Sequence, residues 1–490
     1  MGRARLLPFL LALACTCAWP AAAGAASSPN VKEVAAIPEL KGAISINFID
    51  DTMFVSTVHG VYSYDVADPA APKLLGALPM YIWENEDVDV DPVRKRLFVS
   101  RDPRGFTSPA VPGNVFPYGA VHIIDVSDPA AMKQINVFLV PAGHTTTCVN
   151  RCDTIWTAGP YANAVSNPGF AGRPIYATDV TDPANPKPCP DPIDTGHNDG
   201  VTDYVHDVQV DAAGVAWVTG SGGVRGYWTS GDHVNPLTGN TETATGCKPI
   251  PYAGSGTPES ATPSRFMHNS WRDWTPPRQV VKAKRKPRKP ARHRRARSHR
   301  TKRKHTRARK SAVTPIDRND VLLATEENVV TDCATSGRFV TYDLRGTYAG
   351  EGFRDTAKTH HRMRVLDTWT PEGQPGSTGC DSSHYFTSRG DGITANAFYT
   401  QGVRFLDTSD PENIRQVGYF VNADSNTWAA YWHKGYVFAA DLQRGIDVLR
   451  FQGSPGAAPT VLSPANANTQ RLRFDRHVFG GLCPVSLPRV

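Results

Sequence analysis

The sequence predicts an all-β chain that closes into a seven-bladed β-propeller of four-stranded antiparallel blades, the N-terminal strand completing the last blade. Three observations predict it. A strand-and-turn motif returns seven times, each copy is flanked by further apolar strands, and the chain opens with a strand that the last copy lacks. A length of 490 residues alone would suggest several domains, so repeats have to be sought first.

The motif runs from Gly60 to Pro69 as GVYSYDVADP. It returns at Ala120 to Pro129 as AVHIIDVSDP, at Ile175 to Pro183 as IYATDVTDP and at Gly402 to Pro411 as GVRFLDTSDP. Weaker copies lie at Gly223 to Tyr227, Arg338 to Asp343 and Gly445 to Leu449. Each copy starts with the alternation of a half-buried strand and ends where Asp-Pro and small residues stop the strand and turn the chain. The recurring Asp65, Asp125, Asp179 and Asp407 sit where a carboxylate accepts turn N–H groups, a structural role.

A second apolar strand often follows the copy, as at Lys73 to Ala77 and Gln416 to Phe420. Another precedes it, as at Met53 to Ser56, Leu97 to Ser100 and Ala216 to Thr219, with a further one before that at Val88 to Val90 or Val208 to Val210. Four antiparallel strands make one propeller blade. After Phe451 comes Gly-Ser-Pro-Gly in place of an outer strand, whereas Pro29 to Pro38 matches the outer strand that begins at Pro72. The N-terminal strand is therefore expected to close the ring and remove two exposed sheet edges.

The apolar run ending in Asp-Val-Ser-Asp-Pro resembles the LVIVD repeat of secreted β-propeller proteins. The resemblance covers most of the mature chain and implies the propeller, but it brings no single shared activity. The implied organisation is a signal peptide over 1–25, one propeller over 29–452 interrupted by an insert at 277–313, and a tail over 453–490. Loops at Arg101 to Tyr118, Tyr161 to Gly172 and Ser230 to Thr262 are expected to project.

Arg3 and Arg5 precede an apolar run from Leu6 to Ala18 and small residues from Ala21 to Ala26, the pattern of a secretory signal. Its apolar run is too short to span a bilayer. A lipobox ending at Cys15 would need its Leu one place later, which argues against a lipid anchor. The expected location is secreted or at the cell surface. Seven cysteines remain beyond the signal, and Cys148 and Cys152 face each other across a short hairpin, so a disulfide staple is expected there. Pairing among Cys189, Cys247, Cys333, Cys380 and Cys483 is not legible.

Between Lys282 and Lys310 stand seventeen Lys or Arg and no acid, among them Lys284, Arg285, Lys286, Arg294, Arg295, Lys302, Arg303 and Lys304. Such a run repels itself and cannot bury a core, so a disordered loop is expected. Without it the chain has 36 basic against 46 acidic side chains, so the overall charge of +7 belongs to this segment. The segment suits anionic polymers or lipid surfaces. No aromatic residue is interleaved to stack on bases, which argues against a dedicated nucleic-acid site.

The densest chemical signal comes from aligning the innermost strands. Glu86-Asp87-Val88 matches His206-Asp207-Val208, and His144, His268 and His384 fall in the same register. Five consecutive blades thus place a Glu and four His where the innermost strand begins, facing the channel. Imidazoles and a carboxylate converging there would hold a divalent transition metal, copper, zinc or iron, or transfer protons. Polar residues lining a wet channel explain the same pattern without any metal. At fold level the arrangement is similar to the selenium-binding-protein type of methanethiol oxidase, a seven-bladed propeller with a metal on channel histidines, but no residue is carried over from it.

Lesser candidates are a Cys380–His384 thiol-imidazole pair and the carboxylates Glu326 and Glu327. There is no phosphate loop, dinucleotide fingerprint, G-x-S-x-G elbow or H-E-x-x-H motif. Two functional classes remain. One is an extracellular binding or scaffold module that meets anionic surfaces through the basic loop and an unknown protein or small ligand at the propeller mouth. The other is a metal-dependent enzyme, oxidoreductase or hydrolase, acting at the axis.

Overall fold

The computed structural model describes residues 26–456 apart from 81, 83–84, 103–118, 160–173, 194–204, 221–222, 237, 253–256, 259–265, 276–315, 328–336, 346–361, 378 and 380. The signal segment, the polybasic run, the C-terminal tail, Cys333, Cys380 and Cys483 lie outside the described residues. Among those described there is no α-helix, and no helix is long and apolar enough to cross a membrane.

Seven sheets follow one another along the chain, each built on four antiparallel strands that run in sequence order from the axis outwards, except that the outer strand of the last comes from the N-terminal segment; in the fifth, Thr257–Pro258 adds a short parallel strand outside Arg362–Trp369. Val, Ile, Phe and Trp alternate along the middle strands, and the faces they cover pack sheet against sheet. Trp156, Trp217, Phe98, Phe405 and Phe438 are fully buried between blades. Motif aspartates act as expected: Asp65, Asp125, Asp179 and Asp407 each accept the backbone N–H two residues on, at 2.9–3.0 Å.

Ring closure follows the expected strand. Val31–Ile37 pairs antiparallel with Gly445–Phe451, from Val31 opposite Phe451 to Ile37 opposite Ile446. Val31 and Ile37 are buried, and burying each stabilises closure by about 1.5–3 kcal/mol. Just upstream, Ala26–Ser27 adds a fifth strand to the sixth blade, so the N-terminal segment ties the last two blades together.

Two details differ from expectation. The stretch from Ser230 to Thr262 is not simply a loop, because Gly231–Val234 and Thr241–Ala244 pair as a hairpin. Beside the expected Cys148–Cys152 bridge, Cys189 and Cys247 form a second disulfide. They lie 58 residues apart in different blades, which is why no local spacing shows the pair.

Successive strands of a blade are antiparallel, so connections alternate between two faces of the ring. Each innermost strand begins on one face, where the histidines are. The connection between Met267–Trp271 and Val321–Glu326, which contains the polybasic run, leaves from the other. Its ends are fastened together there: Thr275 N donates to Asn319 Oδ1 at 2.8 Å, and Asn319 Nδ2 donates to Thr275 O at 3.0 Å.

Candidate metal centre

The innermost strands are bulged where the histidines sit. Pairing shifts register between Val205 and Val208 in the fourth blade and between Met267 and Ser270 in the fifth. A bulge lets two consecutive side chains turn the same way. This is how both His206 and Asp207, and both His268 and Asn269, reach the axis. Hydroxyls of the next strand then pin neighbouring blades together. Ser100 Oγ donates to Glu86 O at 3.4 Å and to His144 O at 3.0 Å, and Thr219 Oγ1 donates to Asp207 O at 3.1 Å and to His268 O at 2.5 Å.

The five aligned residues meet. Glu86 Oε2 lies 3.4 Å from Nε2 of His144, 3.4 Å from Nε2 of His206 and 3.2 Å from Nε2 of His268, and Oε1 lies 3.2 Å from Nε2 of His384. His144 and His206 approach Nε2 to Nε2 at 2.8 Å. All five side chains are completely buried. Glu86, His206 and His268 alone form a group able to hold a metal ion.

Two of the rings have their outer nitrogens fixed. Asp102 Oδ2 lies 2.7 Å from His144 Nδ1, and Trp428 O lies 2.6 Å from His384 Nδ1. A proton on each Nδ1 satisfies those acceptors and turns Nε2 toward the Glu86 carboxylate, as a lone pair when the ring is neutral and as a donor when it is protonated. Lone pairs turned toward carboxylate oxygens repel unless a positive charge lies between them. Gly159 makes room for the first ring: its φ is +111°, and a Cβ there would fall 2.2 Å from His144 Cβ.

Protonation follows the same electrostatics. Burial pushes the Glu86 carboxyl up, but the four imidazoles outweigh it and hold it well below the carboxylate range. Burial and the neighbouring His268 push His206 well down, and burial with His384 pushes His268 down to about 3. His384 goes the other way, because the charge of Glu86 overcomes its burial. The cluster thus keeps a carboxylate and two neutral imidazoles, the protonation states that bind metals.

Around the rings lies an aromatic wall. Phe266 stands 4.9 Å from His206, Tyr385 4.7 Å from His268, and Tyr399 and Trp428 each 4.9 Å from His384. Glu326 and Glu327 are buried here, not solvated: Arg338 grips Glu326, and Tyr399 donates to Glu327 Oε1 at 2.6 Å. Asp102, Gly159 and Tyr399 come from other strands and connections, so alignment of the innermost strands did not reveal them; Phe266, Tyr385 and Trp428 stand at innermost strands but share no register position with one another. The basic residues proposed for anion binding lie outside the described residues, as does Cys380 of the thiol-imidazole pair.

No protein-family model matches the chain, and no curated protein matches it. Solved structures similar to it are propellers. The β-propeller domain of Myceliophteria thermophila Cps50 (Swd1) is 10% identical with a TM-score of 0.45, over 84% of this chain and 97% of that one. The Pseudomonas aeruginosa periplasmic gluconolactonase PpgL is 12% identical with a TM-score of 0.42, over 77% of this chain and 85% of that one.

Proposed function

We propose that this protein is a metal-dependent enzyme of the oxidoreductase class, holding one divalent transition metal on the propeller axis through His144, His206, His268, His384 and Glu86. One observation carries the reading: the buried Glu86 carboxylate lies 3.2–3.4 Å from Nε2 of all four buried histidines, and with His206 and His268 it forms a group able to hold a metal ion. Donors about 2.1 Å from a single metal lie about 3.0–3.4 Å apart across the edges of an octahedron or a tetrahedron. The polar lining of a wet channel would not require four rings to crowd one carboxylate.

Five donors exceed the four of a closed zinc site and, with imidazole dominant, favour iron or copper. Such a metal, held by these residues, would supply one-electron or Lewis-acid chemistry. The chain's own part is to orient the rings through Asp102 and the Trp428 carbonyl, and to keep bulk water away through Phe266, Tyr385, Tyr399 and Trp428. Two disulfides support an oxidising compartment outside the cell.

Elemental analysis of protein produced in medium containing iron, copper or zinc tests the reading, alongside His206→Ala and His268→Ala. The expected result is about one metal per chain, lost in both variants. Folded wild-type protein without stoichiometric metal would overturn it, as would retention of the metal in both variants.

A second reading concerns attachment, and it is compatible with the first. The polybasic segment leaves from the face opposite the histidines, so binding of anionic polymers there would hold the protein on a surface with the axial site turned outwards. The LVIVD resemblance adds no activity to either reading.

A further inference from the structure

We propose that the axis carries a second cation site next to the imidazole layer, with oxygen ligands drawn from Asp87, Asp207, Asn269 and Tyr385. The residues follow the first site in register. Asp87 comes after Glu86, Asp207 after His206, Asn269 after His268 and Tyr385 after His384. The bulges at Val205/Val208 and Met267/Ser270 deliver Asp207 and Asn269, and Asp87 follows Glu86 at a left-handed backbone position, φ +62°.

The two carboxylates are close and lack a counter-charge. Gln209 Nε2 donates to Asp87 Oδ2 at 3.0 Å and to Asp207 Oδ2 at 3.3 Å, so one amide spans both. Thr147 Oγ1 donates to Asp87 Oδ2 at 3.4 Å, and Asn269 Nδ2 donates to Asp207 Oδ2 at 2.8 Å. Every one of these donors is neutral, and among the described residues neither carboxylate pairs with Lys or Arg. Two buried like charges without a cation are costly.

Independent of the acids, three oxygens in this layer lack a hydrogen-bond partner among the described residues: Asp207 Oδ1, Asn269 Oδ1 and the Tyr385 hydroxyl. Their residues are 0%, 2% and 2% exposed. Asp207 and Asn269 are joined by their own hydrogen bond, and the Tyr385 ring stands 4.7 Å from that of His268, the chain neighbour of Asn269. Burial, then the charges of Asp207, Glu86 and Asp87, raises the Tyr385 hydroxyl well above its ordinary value. Carboxylate, amide and phenol oxygens suit a hard cation, the nearby Gln209 and Asn269 amide nitrogens having no lone pair to offer, and such a set suits calcium, which tolerates irregular geometry, better than magnesium.

Terbium(III), a calcium substitute whose emission is sensitised by nearby tyrosine and tryptophan, tests the site in the full-length protein. Tyr385 and Trp428 are the local antennae. The expected result is one terbium per chain, displaced by calcium, with affinity reduced at least about tenfold in Asp207→Asn and increased about tenfold in Asn269→Asp, which adds a ligand charge. His144→Ala, which neighbours none of the four oxygen-layer residues in the chain, should leave terbium affinity within about threefold. Absence of calcium-displaceable emission from folded protein overturns the proposal, the two carboxylates then sharing a proton instead. Loss of terbium in His144→Ala also overturns it, since the ion would then sit among the imidazoles. Should Asp207→Asn fail to fold, an unchanged affinity in Asn269→Asp is sufficient to reject the site. Transition-metal content, measured separately, reports on the upper centre alone.

Discussion

Asp102 Oδ2 lies 2.7 Å from Nδ1 of His144, with both side chains completely buried, so the carboxylate fixes which nitrogen of that ring faces the axis. A carboxylate behind a metal-binding imidazole orients the ring and makes it more basic. Asp102 reaches it from the end of the neighbouring blade's second strand, Arg96–Arg101.

Replacing Asp102 by Ala should weaken metal binding about 10–100-fold without unfolding the ring. Competition against a chelator of known affinity measures the loss, and circular dichroism checks the fold. An unchanged metal affinity would remove Asp102 from the centre.

Gly159→Ala addresses the same ring from its other side. The new methyl would sit 2.2 Å from His144 Cβ at a φ of +111°, so either His144 moves or the strand end does. We expect reduced metal content together with a stability loss of more than about 1 kcal/mol by urea unfolding. Normal occupancy and stability would show that His144 does not need this close seat.

The parts of this structure legible in the sequence were those that the repeat copies. Asp-Pro turns, blade count and closing strand all follow from a motif read seven times. So does the shared register of Glu86, His144, His206, His268 and His384. What escaped was supplied once. Asp102 and Gly159 stand at the ends of second strands, and Cys189 finds Cys247 across two blades. The oxygen layer was visible as Asp87 and Asp207 in the same alignment. Strict two-residue alternation, however, turns the neighbour of an inward residue outwards, and the bulges at Val205/Val208 and Met267/Ser270, with the left-handed backbone at Asp87, reverse that rule.

Acid should remove the contribution of a neutral His268 to the stability of the metal-free protein. His268 is held down to about 3 in the fold and titrates near 6.5 when unfolded. Between those values the unfolded chain binds a proton that the folded chain refuses, so stability falls as pH drops below about 6.5, by at most about 1.4 kcal/mol per pH unit for each such ring. His206 acts in the same direction, and the lowered Glu86 joins below its ordinary range. His384 is raised, so its contribution is full below about 6.5 and is lost only as pH rises above that. Burial holds Asp89 and Asp207 up to about 6 and Asp441 up to about 7, and these carboxyls act in the opposite direction, so the His268 contribution is read as a difference. Between pH 7, 5.5 and 4.5 the urea midpoint of metal-free wild-type protein should fall relative to that of His268→Gln. Equal slopes in the two proteins would show that His268 is not held neutral.

Removal of the polybasic segment should leave the propeller and its metal intact. The chain departs at Thr275 and returns beside Asn319, joined by hydrogen bonds of 2.8 and 3.0 Å. Arg318 pairs with Asp273, which also accepts from Ser388 Oγ at 2.6 Å, so the departure point is anchored to the sixth blade. Loop length enters stability only logarithmically, so replacing residues 276–315 by a short Gly-Ser linker should shift the melting temperature by less than about 3 °C. Seventeen positive charges would be lost between Lys282 and Lys310. Retention on an immobilised polyphosphate or an anionic vesicle should then disappear, together with its steep dependence on salt. Metal content should be unchanged, because the axial donors begin on the opposite face. Unfolding of the shortened protein would show that the segment belongs to the propeller's structure, and undiminished retention would place anion binding elsewhere on the molecule.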